Sequence, residues 1–233
     1  MTAANTNEGR RRAWLENVLA SIPAGQRILD AGAGEGRNRP LCAHLSYVSQ
    51  DFCQYTGLQG AAPQAGLQNQ RWDTSHIDVV SDITAIPLPD GSFDAILCSE
   101  VLEHVPEPTH ALDEFARLLR PGGRLVMTVP FASMVHMAPY HFCSGFSRYW
   151  HEHHLPARGL DIEQLTPNGD WHELLLQELG RLGGIERQRR HWTWPLAYML
   201  GLAARSYFKL ASPGRSADLG CFGWHCVALK TYR

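Results

Sequence analysis

From residue 10 to 22 the apolar positions Trp14, Leu15, Val18, Leu19 and Ile22 recur on one helix face, and Pro23 and Gly25 end the run. The period then changes. "RILDAG" is a short apolar run of the kind a buried strand makes, and "GRNRPLCAHL" is predicted as a helix opening from the glycines. "SYVSQDF" is predicted as a second strand ending at Asp51, "IDVVSDI" as a third ending near Asp82, and "FDAILCSE" as a fourth, apolar on both faces. "EPTHALDEFARLLR" carries the helical stripe Ala111, Leu112, Phe115, Leu118 and Leu119, closed by Pro121, Gly122 and Gly123, and "RLVMTVPF" reads as a fifth strand. Alternating strands and helices imply a parallel sheet covered on both sides, an α/β doubly wound architecture.

Beyond residue 132 the pattern loosens. "MVHMAPYHFCSGFSRYWHEHHL" has no clean period and is expected to be a loop followed by a short helix. "GLDIEQL" is predicted as a sixth strand, "DWHELLLQELGRL" and "WPLAYMLGLAARSYFKL" as helices, and "CFGWHCVALK" as a closing strand. Trp192, Trp194, Tyr198, Tyr207 and Phe208 are expected to pack mostly as ordinary core, with the 192–210 helix and the aromatic loop covering an acceptor. The segment 54–72, rich in Gln and Gly, is expected to be a mobile insertion whose end packs down through Trp72. The expectation is one domain over 1–233, with a cofactor-binding half at 1–131 and an acceptor side at 132–233.

The stretch "ILDAGAGEGRNRP" places Gly32, Gly34 and Gly36 at alternate positions after a buried strand, with Asp30 just before them. Glycines at a strand-to-helix turn let a ligand approach the backbone with no Cβ in the way, and the carboxyl edge of a doubly wound sheet is where nucleotide-like cofactors bind. The spacing is GxGxG rather than the GxGxxG of a dinucleotide site, and an acid at position 30 would repel a pyrophosphate, so a nicotinamide oxidoreductase is disfavoured. Asp30 instead suits a cationic ligand bearing an amino acid. Asp51 and Asp82 end successive strands, where they can accept hydrogen bonds from ribose hydroxyls and an adenine amino group, with Ile83 beside the ring. Capping explains either aspartate alone about as well, but explains the pair poorly.

The stretches "ILDAGAGEGR", "DITAIPLPDGSFDAILCSEVLEHVPEP" and "RLLRPGGRLVMTVPF", covering about residues 25–131, resemble the class I S-adenosylmethionine-dependent methyltransferases, type 11 branch. "HMAPYHFCSGFSRYWHEHHL" with "TPNGDW" is similar to a bacterial subgroup found with saccharide-modifying genes. The resemblance implies a Rossmann-like seven-stranded sheet of order 3-2-1-4-5-7-6 with strand 7 antiparallel and helices on both faces. It implies S-adenosyl-L-methionine as cofactor, with Asp30, Ala31, Gly32, Gly34 and Gly36 along its methionine part and Asp51 and Phe52 at the ribose. Asp82 and Ile83 would meet the adenine, and Ser99 and Glu100 would lie beneath the cofactor.

Methyl transfer to a hydroxyl needs a proton acceptor, and histidine is the natural one near neutral pH. His104, after the fourth strand, and His141, in the loop after the fifth, are the catalytic candidates; His136, Tyr140 and Tyr149 are expected to line the acceptor pocket. "HEHH" (151–154) invites a metal, but on a helix His151 and His154 would be neighbours with Glu152 pointing elsewhere, and no HExxH or CxxC accompanies it, so no metal site is expected. The net charge of −2 gives no basic field for nucleic acid, and the triplet Arg10–Arg12 reads as a solvated helix face. Six scattered cysteines and a polar start, "MTAANTNEGRRR", fit reduced thiols in a cytoplasmic protein with no transmembrane segment. The favoured acceptor is a small molecule, a saccharide first, methylated at oxygen. An RNA or protein methyltransferase, and a cofactor-binding scaffold without activity, are the alternatives; a homo-oligomer is left open.

Overall fold

The computed structural model describes residues 6–55, 57, 71–188, 190, 192–211 and 216–232. Most of the 54–72 insertion lies outside them, as does the side chain of Phe208. The chain divides into two compact units, Met1–Thr166 with Gly223–Arg233, and Pro167–Phe222.

The first unit opens with α1 (Asn7–Ala20), whose first turn is closed by Thr6: its hydroxyl accepts from the Gly9 amide at 3.1 Å. Leu15 and Leu19 of α1 pack with Ile22, Ile28, Cys42, Ala95, Leu97 and Val126 in one apolar cluster. The strands are β1 (Arg27–Ala31), β2 (Ser46–Asp51), β3 (Val79–Val80), β4 (Phe93–Ser99), β5 (Leu119–Pro130), β6 (Leu160–Asn168) and β7 (Gly223–Lys230). Their order is β3-β2-β1-β4-β5-β7-β6. The pairs β1–β2, β1–β4, β2–β3 and β4–β5 are parallel, and β5–β7 is antiparallel. This is the expected sheet. The helix α2 (Pro108–Leu118) buries Ala111, Leu112, Phe115 and Leu118, four of the five stripe positions, and a short α3 (Arg148–His154) follows the loop after β5.

Three local expectations fail for identifiable reasons. The helix predicted over "GRNRPLCAHL" is a series of turns with one 3-10 turn at Arg39–Cys42. Pro40 stands mid-span, where it has no N–H to give and its ring would meet the carbonyl four residues back. The third strand is only two residues long because the Asp78 carboxylate takes the Ser49 amide (2.9 Å) and hydroxyl (2.8 Å), replacing a backbone rung. Pro121, Gly122 and Gly123 do not merely stop α2. They lie within β5, where the pairing jumps from Phe93–Leu119 to Ala95–Arg124 and the intervening residues bulge out, with Gly122 at φ +77°.

The second unit contains α4 (Trp171–Gln188) and α5 (Trp194–Ala211). Asp170 and Glu173 form a reciprocal cap: the Glu173 amide donates to Asp170 Oδ1 (2.9 Å) and the Asp170 amide to Glu173 Oε2 (3.2 Å). Glycines let the two helices meet closely. A Cβ on Gly183 would come within 2.8 Å of Tyr198 Cα, and one on Gly201 within 2.6 Å of the Leu179 carbonyl. The expectation that the α5 aromatics pack as core is not met, since Trp192, Trp194, Tyr198 and Tyr207 are exposed. Among the described residues no helix is long and apolar enough to cross a membrane. All six cysteines are free thiols.

Candidate functional site

A cavity of about 250 Å³ opens at the carboxyl ends of β1, β2 and β4. Gly32, Asp51, Phe52, Asp82, Ile83 and Glu100 line one part of it, and His104, Met137 and Tyr140 another. Glu100 (φ +56°), Met137 (φ +52°) and Cys53 (φ +54°), beside Phe52, are non-glycine residues in the left-handed region. Such backbone costs about 1–3 kcal/mol each and concentrates at functional sites.

The glycine turn is fixed from β2. Gly32 N–H donates to the Gln50 carbonyl at 2.9 Å, and the Gln50 side-chain amide donates to the Ser81 carbonyl at 2.7 Å, tying the turn to the end of β3. Asp51 accepts from Gly34 N–H through Oδ2 (2.9 Å) and from Cys53 N–H through Oδ1 (2.8 Å). Each oxygen keeps a second lone pair for a ligand hydroxyl. Gly32, Gly34 and Gly36 all have positive φ, and their Cβ positions are closed off by Val101, Trp72 and His76 respectively. The protein itself thus fills the space a Cβ would take at all three glycines, and only the Gly32 backbone reaches the cavity. Trp72 packs down as expected, on Gly34 and edge-on to Tyr55.

Asp30 is not at the rim. It is 1% exposed, and its carboxylate accepts from the Tyr47 hydroxyl at 2.7 Å. Burial raises its pKa to about 6 against the relief that Tyr47 provides. Ala31 is fully buried in β1, and Ser99 is bonded to Thr128 at 2.9 Å; neither lines the cavity. Asp82 lines it while capping the next turn, with Oδ1 accepting from the Thr84 amide and hydroxyl, both at 2.8 Å. Glu100 accepts from the Thr128 hydroxyl (3.0 Å) and pairs with Arg11 of α1 at 3.0 Å. Arg11 is thus a site-supporting residue, not part of a solvated face. Gln50, Trp72, Arg11 and Glu103 carry no motif in the sequence; only Glu103, an acid within the otherwise apolar "EVLEHV", offered a signal.

His104 ends a 3-10 turn (Leu102–His104) and lines the cavity. Its Nδ1 donates to the Tyr140 carbonyl at 2.5 Å, and burial lowers its pKa to about 4. His136 and His141 stand against it outside the cavity lining, with ring centroids 4.6 and 6.0 Å from that of His104. Burial, then His136, lowers the pKa of His141. Beside them Glu103 is 1% exposed, and burial pushes its pKa well up. Tyr149 is not brought to the site: α3 turns His151 inward and leaves Tyr149 72% exposed. The "HEHH" stretch does not converge either, since buried His151 bonds its own helix through the Ser147 carbonyl (2.9 Å) while Glu152 pairs with Arg148.

The cavity fits an adenosyl sulfonium ligand better than a dinucleotide. It offers an acceptor-only carboxylate at the end of β2 and apolar walls from Phe52 and Ile83, while no α-helix N-terminus follows the glycine turn to receive a pyrophosphate.

Comparison with known proteins agrees. Residues 29–127 match the family described as "Methyltransferase domain". The ubiquinone biosynthesis O-methyltransferase of Xanthomonas oryzae pv. oryzae is 37% identical over 115 residues, 49% of this chain and 47% of that protein. The 27-O-demethylrifamycin SV methyltransferase of Amycolatopsis mediterranei is 36% identical over 114 residues, 47% and 40% of the two chains. The chain thus spans about half the length, or less, of the curated relatives it matches. In fold it is similar to a putative sarcosine dimethylglycine methyltransferase from Galdieria sulphuraria, with TM-score 0.58 and 16% identity over 95% of this chain and 86% of that one.

Proposed function

We propose, from the match of residues 29–127 to the methyltransferase-domain family, that the protein transfers a methyl group from S-adenosylmethionine to an oxygen of a small-molecule acceptor. The observation that carries the reading is the cavity itself, with Asp51 at one side and His104 at the other. The cofactor, when bound, supplies a methyl carbon already activated by its sulfonium. In this reading Asp51 accepts from the ribose hydroxyls, Phe52 and Ile83 flank the adenine, Asp82 accepts from its amino group, and Gly32 lets the chain approach the methionine part. Asp30 stays buried beneath the turn, bonded to Tyr47. The work left to the chain is positioning, exclusion of water and removal of a hydroxyl proton.

His104 is the proposed proton acceptor. Its Nδ1–H is committed to the Tyr140 carbonyl, so Nε2 carries the lone pair, and its lowered pKa keeps the ring neutral at physiological pH. His141 is the second candidate, and Tyr140 and His136 border the acceptor. The division into a cofactor half at 1–131 and an acceptor side at 132–233 belongs to the same proposal.

The O-methyltransferases among the relatives favour oxygen as the methylated atom. A saccharide hydroxyl remains the acceptor class expected from the sequence of the 137–154 loop, and the net charge of −2 disfavours RNA. The test is calorimetric titration with S-adenosylhomocysteine, followed by turnover with labelled S-adenosylmethionine on quinol, macrolide-type and saccharide acceptors. The expected result is micromolar binding, weakened by about 1–3 kcal/mol in Asp51→Ala. Failure of the wild-type chain to bind either cofactor form overturns the proposal.

A further inference from the structure

His104, His136 and His141 each present a ring nitrogen such that the three nitrogens lie within 4.8 Å of one another. Hydrogen bonding decides which nitrogen is free to bind in two of them. A carbonyl can only accept, so the bond from His104 Nδ1 to the Tyr140 carbonyl and that from His136 Nδ1 to the Met134 carbonyl (2.9 Å) place the proton on Nδ1 in both rings. Their Nε2 atoms are then bare lone pairs. The third ring goes further: both nitrogens of His141 are buried and have no hydrogen-bond partner among the described residues. Next to the group, the Glu103 carboxyl stands 3.7 Å from His104 Nε2 through Oε1, and its Oε2 is buried without a partner.

Neutral imidazoles gathered this way repel through their lone pairs and leave donors and acceptors unmet, an arrangement that costs energy with nothing between them. A cation between them reverses every one of these terms. Imidazole nitrogens whose other N–H is held by a backbone carbonyl are also how proteins orient metal-binding histidines.

We propose that His104, His136 and His141 bind one divalent transition-metal ion, zinc being the best match to three imidazoles, with the Glu103 carboxyl beside them. From a 4.8 Å triangle, reaching metal–nitrogen distances of about 2.1 Å asks each ring to move inward by roughly 0.8 Å. Three protein ligands leave a further position, and His104 sets the ion at the cavity edge. On the O-methyltransferase reading, that position takes the acceptor oxygen and lowers the pKa of its hydroxyl. The proton passes to solvent water, the oxygen bonds the methyl carbon as the carbon–sulfur bond breaks with its electrons left on the thioether, and His104 does not have to hold the proton. The binding itself does not depend on that reading.

The experiment uses the full, tag-free chain, stripped with a chelator and titrated with Zn²⁺ and, separately, Co²⁺. One ion per chain is expected by elemental analysis, with visible Co²⁺ absorption of a low-coordinate nitrogen site. His136→Ala is expected to weaken Zn²⁺ binding at least 100-fold, while His153→Ala, at an exposed position of α3, leaves it unchanged. Wild-type chain that takes up less than a tenth of an equivalent overturns the proposal whether or not any variant folds. Uptake that is equal in wild type and a folded His136→Ala also overturns it. S-adenosylhomocysteine titration of the metal-free chain separates the two readings: cofactor binding without metal uptake removes the metal site alone, and metal uptake without cofactor binding removes the transferase reading alone.

Discussion

Asp30→Asn should stabilise the protein, and by an amount that depends on pH. In the native state the carboxyl is buried and titrates at about 6, against 3.8 for an ordinary aspartate. The folded chain therefore holds this proton more tightly than the unfolded chain. Stability is greatest where both states are protonated and falls as pH rises from about 4 to 6. The full shift of about 2 units corresponds to roughly 3 kcal/mol of native-state cost at pH 8; at pH 5, where the native carboxyl is still mostly protonated, the cost is about 1.6 kcal/mol. The amide occupies about the same volume and still accepts from Tyr47, so it removes the charge burial, and whatever it loses with Asn38, which also bonds the carboxylate, is the same at both pH values. Other effects of the amide are common to both pH values and cancel in the comparison, leaving a gap of about 1.4 kcal/mol. Urea unfolding of both proteins at pH 5 and pH 8, followed by tryptophan fluorescence, measures it. Equal stability differences at the two pH values would refute the reasoning.

His104→Ala should lower methyl-transfer turnover by about 10²–10⁴-fold with cofactor affinity nearly intact, checked by labelled-cofactor assay beside calorimetry. Gly34→Ala puts a Cβ at φ +54° and 2.9 Å from the Trp72 ring, and should cost about 1–2 kcal/mol in thermal unfolding. Gly183→Ala, which drives a methyl into the Tyr198 backbone, should cost about 1–3 kcal/mol and lower helicity by circular dichroism; unchanged unfolding would mean α4 and α5 are not packed through that glycine.

The strands were legible because buried parallel strands write themselves as apolar runs: β1, β2, β4 and β5 fall within a few residues of the segments read for them. Their order and the antiparallel β7 came from the family resemblance, since no spacing in the sequence encodes them. The losses have local causes. Pro40 abolishes a helix that the apolar spacing invited, and Asp78 substitutes a side chain for a rung of β3. At the site, Asp51, Asp82 and Ile83 were readable as strand ends, whereas Asp30, equally conspicuous, is turned inward onto Tyr47. Arg11 escaped because its partner Glu100 is remote in sequence. The histidines show the limit most clearly. Local density drew attention to 151–154, where His151 is turned inward away from the exposed His153, while His104, His136 and His141 meet only because the loop after β5 folds back against the end of β4.

The second unit leaves the sheet after β6 and returns at β7, two strands that are neighbours in the sheet order. At its base the Phe222 amide donates to the Asn168 carbonyl at 2.9 Å, so the excursion begins and ends at one backbone clasp. A segment held that way behaves as a cassette. Its length enters folding only through the logarithm of a loop-closure entropy, about 0.6 kcal/mol for each doubling. Lengthening or trimming the excursion therefore costs little in closure entropy.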